Sequence, residues 1–152
     1  MRVSAKVDYA VRAAVELAAA DPGVNVKAEA IAEAQDIPRK FLDNILQGLR
    51  QAGLVESRRG PEGGHRLARP ADEIAVADVI RAIDGPLANV GGRSPDELRL
   101  TGSAEALQDV WIAVRASLRG VLEAVTLADV AGGELPAHVH ELTGLPGAWE
   151  RR

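Results

Sequence analysis

Apolar and polar residues recur at helical spacing over the first third of the chain, and this pattern predicts three helices. The first is predicted from about Ala5 to Ala20 with Ser4 as its N-cap, and the second from about Lys27 to Gln35. A short turn leads into the third helix, which Pro38 opens and Gly53 ends. The last two helices, joined by such a turn, predict a helix-turn-helix.

The third helix is the most strongly two-sided segment of the chain. Its apolar face is formed by Phe41, Leu42, Ile45, Leu46 and Leu49. Its opposite face carries Lys40, Asp43, Asn44, Gln47 and Arg50, which are side chains that can reach a base edge or a phosphate. A helix with one buried apolar side and one outward hydrogen-bonding side fits the major groove of duplex DNA.

A hairpin is predicted directly after this helix. Two short runs, Leu54–Arg58 and His65–Arg69, flank the glycine-rich turn Gly60–Gly64. A two-stranded hairpin that follows a helix-turn-helix is a wing, and an arginine near its tip suits a narrow minor groove. The alternatives for this turn are a solvated loop or a phosphate cradle. The cradle is disfavoured because no Gly-Lys-Ser/Thr and no helix follow the glycines.

The remaining pattern predicts a closing segment, a linker and one long helix. Apolar residues between Ile74 and Ile83 predict a short strand that turns into a helix closing the core. The segment 87–102 is predicted to be a linker with at most a helical turn around Pro95–Leu98. A helix from Ser103 to about Ala131 follows, with a heptad-like seam formed by Leu107, Val110, Trp111, Val114, Leu118, Val121, Leu122 and Val125.

The length of this last helix bears on assembly. At 1.5 Å per residue it would span about 40 Å, more than the preceding domain can cover. We therefore expect its seam to pack against a second copy, the alternative being a helix folded over its own domain. The expected fold is mainly α with a small two-stranded wing: a winged helix-turn-helix (1–86), a linker (87–102), a dimerisation helix (103–131) and a tail (132–152).

Charge is distributed unevenly along the chain. The net charge is −4, but residues 39–69 hold seven basic and three acidic residues and so carry +4. The candidate DNA-binding residues are Lys6, Tyr9, Arg39, Lys40, Asp43, Asn44, Gln47, Arg50, Arg58, Arg59 and His65. Phosphate contacts are expected from Lys6, Arg39, Arg50 and Arg58. Base contacts are expected from Lys40, Asn44 and Gln47, and Arg59 is expected to enter the minor groove. Asp43 is expected to accept a hydrogen bond from cytosine or to exclude poor sites, whereas Tyr9 is either half-buried or a phosphate contact.

Composition narrows the other classes of function. The chain has no cysteine, which excludes disulfides and cysteine-ligated clusters. No apolar run is long enough to span a membrane and no signal segment opens the chain, so a cytoplasmic protein is expected. His138 and His140 lack further ligands nearby and are expected to be exposed tail residues. No catalytic motif appears, so neither an enzyme nor a cofactor is expected; the rival function is a winged module that binds an acidic partner protein.

Three stretches together resemble one known family. SAKVDYAVRAAVELA, then FLDNILQGLRQAGLVESRRGPEGGHRLARPADEIAVADVIRAIDGP, and the late TLADV are similar to the Rrf2 family of bacterial transcription regulators. The most specific part is the RGPxGG wing tip followed by IAVADVIRAIDGP. The resemblance implies a homodimer in which long C-terminal helices cross between subunits. It also implies a two-fold symmetric double-stranded DNA operator, contacted by the polar face of the third helix and by Arg59.

The resemblance also bears on regulation. Many family members sense iron–sulfur status or redox state through three cysteines in the segment that corresponds to 87–102, which has none here. We therefore expect a repressor without that sensor, one that responds to an unidentified small-molecule effector or to a partner protein. An effector pocket is expected between the long helix and the winged domain, near Trp111.

Overall fold

The computed structural model describes residues 2–151, and its first third is a three-helix unit. Helix α1 spans Ala5–Ala19, α2 spans Ala28–Gln35 and α3 spans Arg39–Gln51. The Oγ of Ser4 caps α1 by accepting a hydrogen bond from the Val7 amide (3.2 Å), as predicted. Helix α2 ends where Asp36 adopts a left-handed conformation (φ 50°). Pro38 lies just before α3 as its N-cap rather than inside it.

The core of this unit forms around α1. Small residues on α1 are fully buried, which allows neighbouring helices to approach closely. Helix α3 contributes Leu42, Ile45, Leu46 and Leu49, each at most 3% exposed. Burying each of these side chains contributes about 1.5–3 kcal/mol, so the apolar face of α3 fixes how the helix is rotated. Its polar face must then point outward.

The predicted wing is present and is attached to the segment before α2. Strand β1 (Val55–Arg58) pairs antiparallel with β2 (Gly64–Leu67). His65 on β2 also forms a bridge with Val26, through two backbone hydrogen bonds of 2.8 Å. Gly64 has a φ of +144°, and a Cβ there would lie 2.6 Å from the Val26 carbonyl oxygen. Only glycine allows this close approach.

The segment after the wing closes the core as predicted. A 3₁₀ turn (Ala71–Glu73) leads to the extended residue Ile74 and then to α4 (Val76–Asp84), which packs against α1. The extended piece pairs with a distant segment, because Ala75 bridges Thr126 and the Leu127 amide donates to the Ile74 carbonyl (2.9 Å).

The predicted long helix from Ser103 to Ala131 is wrong in its extent. A 3₁₀ turn covers Gly102–Ala104, so Ser103 is not an N-cap, and α5 runs only from Leu107 to Leu122. Helix α6 (Leu127–Gly132) follows and packs on α1. The chain leaves the helical path because Val125 and Leu127 are buried in the core, at 7% and 0% exposure. Thr126 then caps α6 through the Asp129 amide.

This break also removes one residue from the predicted seam. Val125 lies outside α5 and packs within its own subunit, so it is not available to a partner. By contrast, none of the sixteen residues of α5 is buried.

The linker 87–102 contains a single 3₁₀ turn at Pro95–Glu97, as predicted, and it is anchored to α5. Gln108 on α5 donates to the carbonyls of Pro95 (3.2 Å) and Leu98 (3.1 Å). Arg115 forms an ion pair with Asp96. These contacts fix the linker along one side of α5.

The segment 132–152, which was predicted only as a C-terminal tail, contains helix α7 (Ala137–Thr143). His138 is half-buried rather than exposed, because α7 and α5 line a shared groove that also includes Gly120 and Leu142. His140 is exposed, as expected.

Candidate nucleic-acid interface

The outward face of α3 has a crest of four polar side chains. At about 100° per residue, Lys40, Asn44, Gln47 and Gln51 lie within one narrow stripe opposite the buried face, and all four are exposed. Three of them were sequence candidates. Gln51 was missed because it lies in the last turn, although its spacing from Asn44 and Gln47 was a readable signal.

The flank of α3 nearer α2 is charged, and its charges are paired. The Arg39 guanidinium lies 2.7 Å from Glu29 Oε1 and 3.2 Å from Asp43 Oδ1. The hydrogen bond with Glu29 raises the pKa of Arg39 above its usual value. The pKa of Glu29 is lowered, first by a hydrogen bond from its own backbone amide and then by Arg39. Arg39 and Asp43 are therefore partly engaged with each other and with α2, rather than freely presented.

The flank nearer α1 is aromatic, and here the predicted burial of Phe41 is wrong. Phe41 remains 45% exposed because it lies at the edge of the apolar face, about 100° from Lys40. Its ring centroid is 6.2 Å from that of Tyr9, which is half-buried. The Lys40 Nζ lies 5.0 Å from the Phe41 ring, and the Arg12 guanidinium lies 4.9 Å from the Tyr9 ring.

An open groove of about 860 Å³ runs beside this aromatic flank, between α1, α3 and α4. It is lined by Ala5, Lys6, Tyr9, Phe41, Asn44, Gln47, Gly48, Gln51, Ala82 and Ile83. Lys6 is thus placed beside the crest, on the same side as Tyr9. The groove joins the predicted phosphate candidates on α1 to the predicted base candidates on α3.

The wing is held beside the charged flank. Ser57 Oγ lies 2.8 Å from His65 Nδ1 across the two strands. Burial of His65 lowers its pKa, and the positive charges of Arg39 and Arg50 lower it further. His65 therefore lies close to α3, but its ring faces Ser57 and is only half-exposed.

Two side chains that the sequence analysis missed brace the tip of the wing. Lys27 Nζ donates to the Gly60 carbonyl (3.0 Å), and Asn25 Nδ2 donates to the Glu62 carbonyl (3.1 Å). They lie in the extended segment ahead of α2, and their sequence carries no motif for this role. Arg58 and Arg59 remain exposed, and neither forms an ion pair within residues 2–151.

Comparison with known proteins decides the family. Residues 3–133 match the Rrf2 model, described as an iron-dependent transcriptional regulator. This chain belongs to the Rrf2 family. One relative is the Mycobacterium tuberculosis protein named "Putative HTH-type transcriptional regulator Rv1287". It is 57% identical over 142 residues, which cover 93% of this chain and 88% of that one. The HTH-type transcriptional regulator CymR of Bacillus subtilis is 32% identical over 142 residues, covering 91% and 98%.

Solved structures of Rrf2 proteins share the fold. The structure of CymR, titled the global cysteine regulator of B. subtilis, superposes with a TM-score of 0.75 at 30% identity, covering 88% of this chain and 98% of CymR. IscR of T. potens gives a TM-score of 0.72 at 34% identity and covers 88% of each chain. The winged helix-turn-helix is therefore that of a DNA-binding transcription regulator. The relatives are transcriptional regulators rather than enzymes, and the acidic-partner alternative is not favoured.

The iron in the family description does not fit the side chains of this Rrf2 protein. The chain has no cysteine to ligate a cluster. Within residues 2–151, no group of three or more His, Asp or Glu side chains is arranged to hold a metal ion. No helix in that range is long and apolar enough to cross a bilayer.

The remaining seam residues of α5 form a partly uncovered apolar surface on this Rrf2 chain. Leu107 and Val110 are 40% and 51% exposed. The others are half-buried, namely Trp111, Val114, Leu118, Val121 and Leu122. A separate groove of about 350 Å³ lies between α5 and the winged unit, where a pocket was expected, and it is lined by Leu118 and Leu122 rather than by Trp111.

Proposed function

We propose that this Rrf2 regulator is a homodimeric repressor whose crest and wing bind a two-fold symmetric operator. The observation that carries the proposal is an exposed polar crest on α3 together with an exposed, arginine-tipped wing that Lys27 and Asn25 brace. The crest has the amides and ammonium that bind base edges, and the wing has the cations that bind phosphates or a narrow minor groove.

The roles follow from what each side chain is free to do. Lys40, Asn44 and Gln47 contact bases, whereas Lys6, Arg50 and Arg58 contact phosphates, with Tyr9 alongside Lys6. Arg59 enters the minor groove. Arg39, held by Glu29 and Asp43, contacts a phosphate only by exchanging one of these carboxylates for it. Asp43 then serves mainly to orient Arg39 and to repel phosphates that are out of register. His65 supports the wing rather than the DNA.

Dimerisation is the second part of the proposal. Helix α5 has an apolar stripe and no buried residue, which is unusual for a helix of sixteen residues in a folded chain. A second copy packed on that stripe would cover it and would set the spacing between two crests. Bound over a promoter, such a dimer would exclude the polymerase, which is why we propose repression.

The groove between α5 and the winged unit is the proposed effector site. Its walls are mainly apolar, with Val7, Ile80, Leu118 and Leu122 contributing, and Asp84 and Asn89 provide polar groups at its edge. A small molecule seated there would contact both α5 and the winged unit. It would thereby change the distance between the two crests in a dimer.

Selection from genomic DNA tests the function directly. Purified protein is incubated with fragmented genomic DNA of its source, and bound fragments are sequenced and confirmed by mobility shift and footprinting. We expect an inverted repeat whose half-sites lie one helical turn or a multiple apart. Fragments without a shared sequence, or no bound DNA at all, would refute the proposal.

A further inference from the structure

One side chain on the DNA-facing surface does not match the polar character of its neighbours. Phe41 is 45% exposed and lies beside the crest residues Lys40 and Asn44. Water contact with this much aromatic surface is unfavourable, and an exposed apolar group on a binding face usually contacts its partner.

The ring is also held in place before any partner arrives. Tyr9 lies on one side of it at 6.2 Å between centroids, and the Lys40 ammonium lies 5.0 Å from its centroid. The uncovered part of the ring faces the groove that Asn44 and Gln47 also line. A partner that reaches these two amides therefore also meets the aromatic ring.

The major groove offers one strongly apolar group, the C5-methyl of thymine, and Phe is among the side chains that pack against it. Phe41 and Asn44 are three residues apart on the helix, so they reach neighbouring positions of a bound duplex. We propose that Phe41 contacts a thymine methyl in each operator half-site and so makes α3 discriminate thymine at that position. This inference rests on the proposed binding of DNA through the crest.

A different function for Phe41 would give a different dependence of binding on the thymine methyl group. If the ring only supports Lys40 or packs against deoxyribose, the thymine methyl group contributes nothing to binding affinity. The protein then has no preference for a particular base at that position. Replacing thymine by deoxyuridine removes the methyl and leaves the hydrogen-bonding edges unchanged. It therefore separates these two cases.

The experiment is a deoxyuridine scan of the selected operator, read by fluorescence anisotropy. Each thymine of a half-site is replaced in turn, symmetrically in both halves, and Kd is measured for the wild type, Phe41→Ala and Phe41→Leu. Loss of one methyl contact, at about 0.8 kcal/mol, corresponds to about a fourfold rise in Kd per half-site. We expect one thymine to show this rise with the wild type, Phe41→Leu to keep part of it and Phe41→Ala to lose it.

The possible outcomes are distinct. Equal binding of every deoxyuridine operator by the wild type overturns the inference while leaving DNA binding intact, and this result needs no variant to fold. A methyl effect that persists in Phe41→Ala assigns the contact to another residue and also overturns it. Absence of any selected operator overturns both this inference and the proposed function. Circular dichroism of the two variants confirms that they fold like the wild type.

Discussion

At the surface of α3, the polar residues fall into two groups, an unpaired crest and a flank whose residues form ion pairs. Lys40 has no ion-pair partner among residues 2–151 and the neutral amides of Asn44 and Gln47 are exposed, whereas Arg39 is shared by Glu29 and Asp43. Exposed ion pairs contribute little to stability, so their main consequence here is for binding. A carboxylate beside an arginine competes with any phosphate that approaches the same guanidinium.

Replacing Glu29 by Gln tests this competition. The variant removes one of the two carboxylates from Arg39, so Arg39 becomes more available to a phosphate and the local charge becomes more positive. We expect tighter operator binding and a slope of log K against log salt that is steeper by up to about one. The measurement is anisotropy titration over a series of salt concentrations. Glu33→Gln, an equal charge change on the same helix, is the control, and an equal gain in both variants would contradict the pairing argument.

The wing arginine gives the complementary prediction. Arg59 is exposed and carries no partner within residues 2–151, so Arg59→Ala should weaken operator binding. It should also flatten the salt slope by about one if Arg59 replaces one counterion on the DNA. Arg93→Ala removes the same charge from the exposed linker and should leave both quantities near the wild type. If Arg59→Ala bound the operator with unchanged affinity, the wing would not be part of the DNA interface.

At the scale of elements, local periodicity predicts helices well and predicts their breaks poorly. Helices α1 to α3 matched their predicted ranges closely, because their buried faces follow a simple spacing. The end of α5 was missed because Val125 fits the heptad pattern equally well. Its burial depends on pairing between Ala75 and Thr126, which are distant in sequence. Phe41 was misassigned for a related reason, since a residue at the edge of an apolar face is buried only if a neighbouring helix covers it.

The anchoring of the linker on α5 gives a prediction about pH. Hydrogen bonds from Ser94 and then from Arg115 lower the pKa of Asp96 to about 2 from its usual 3.8. A carboxylate with a lowered pKa in the folded state stabilises the fold above pH 3.8, and this contribution is lost as the pH falls toward 2. Asp96→Asn should therefore unfold more easily than the wild type at pH 7.

Urea denaturation followed by circular dichroism at several pH values checks this. The difference in free energy of unfolding between Asp96→Asn and the wild type should narrow below pH 3.8 and close near pH 2, because the wild-type carboxyl itself becomes neutral. Asp72→Asn, in an exposed 3₁₀ turn, serves as the control for a simple loss of charge. A difference that stays constant across the whole pH range would show that the contact of Arg115 with Asp96 does not depend on the charge of Asp96.

At the scale of the whole molecule, the proposed repressor depends on two copies meeting along α5. The seam residues Trp111, Val114, Leu118 and Val121 lie on one side of the helix and are only half-buried within one chain. Trp111→Asp would place a charge in the centre of that contact, where an unpaired buried charge costs several kcal/mol. We expect this variant to sediment as a monomer and to lose cooperative binding to a two-half-site operator. Ala116→Asp adds the same charge to the opposite, exposed side of α5 and should remain dimeric. A folded Trp111→Asp protein that still sediments as a dimer would place the subunit contact elsewhere, and the operator spacing would then have to be explained by a different surface.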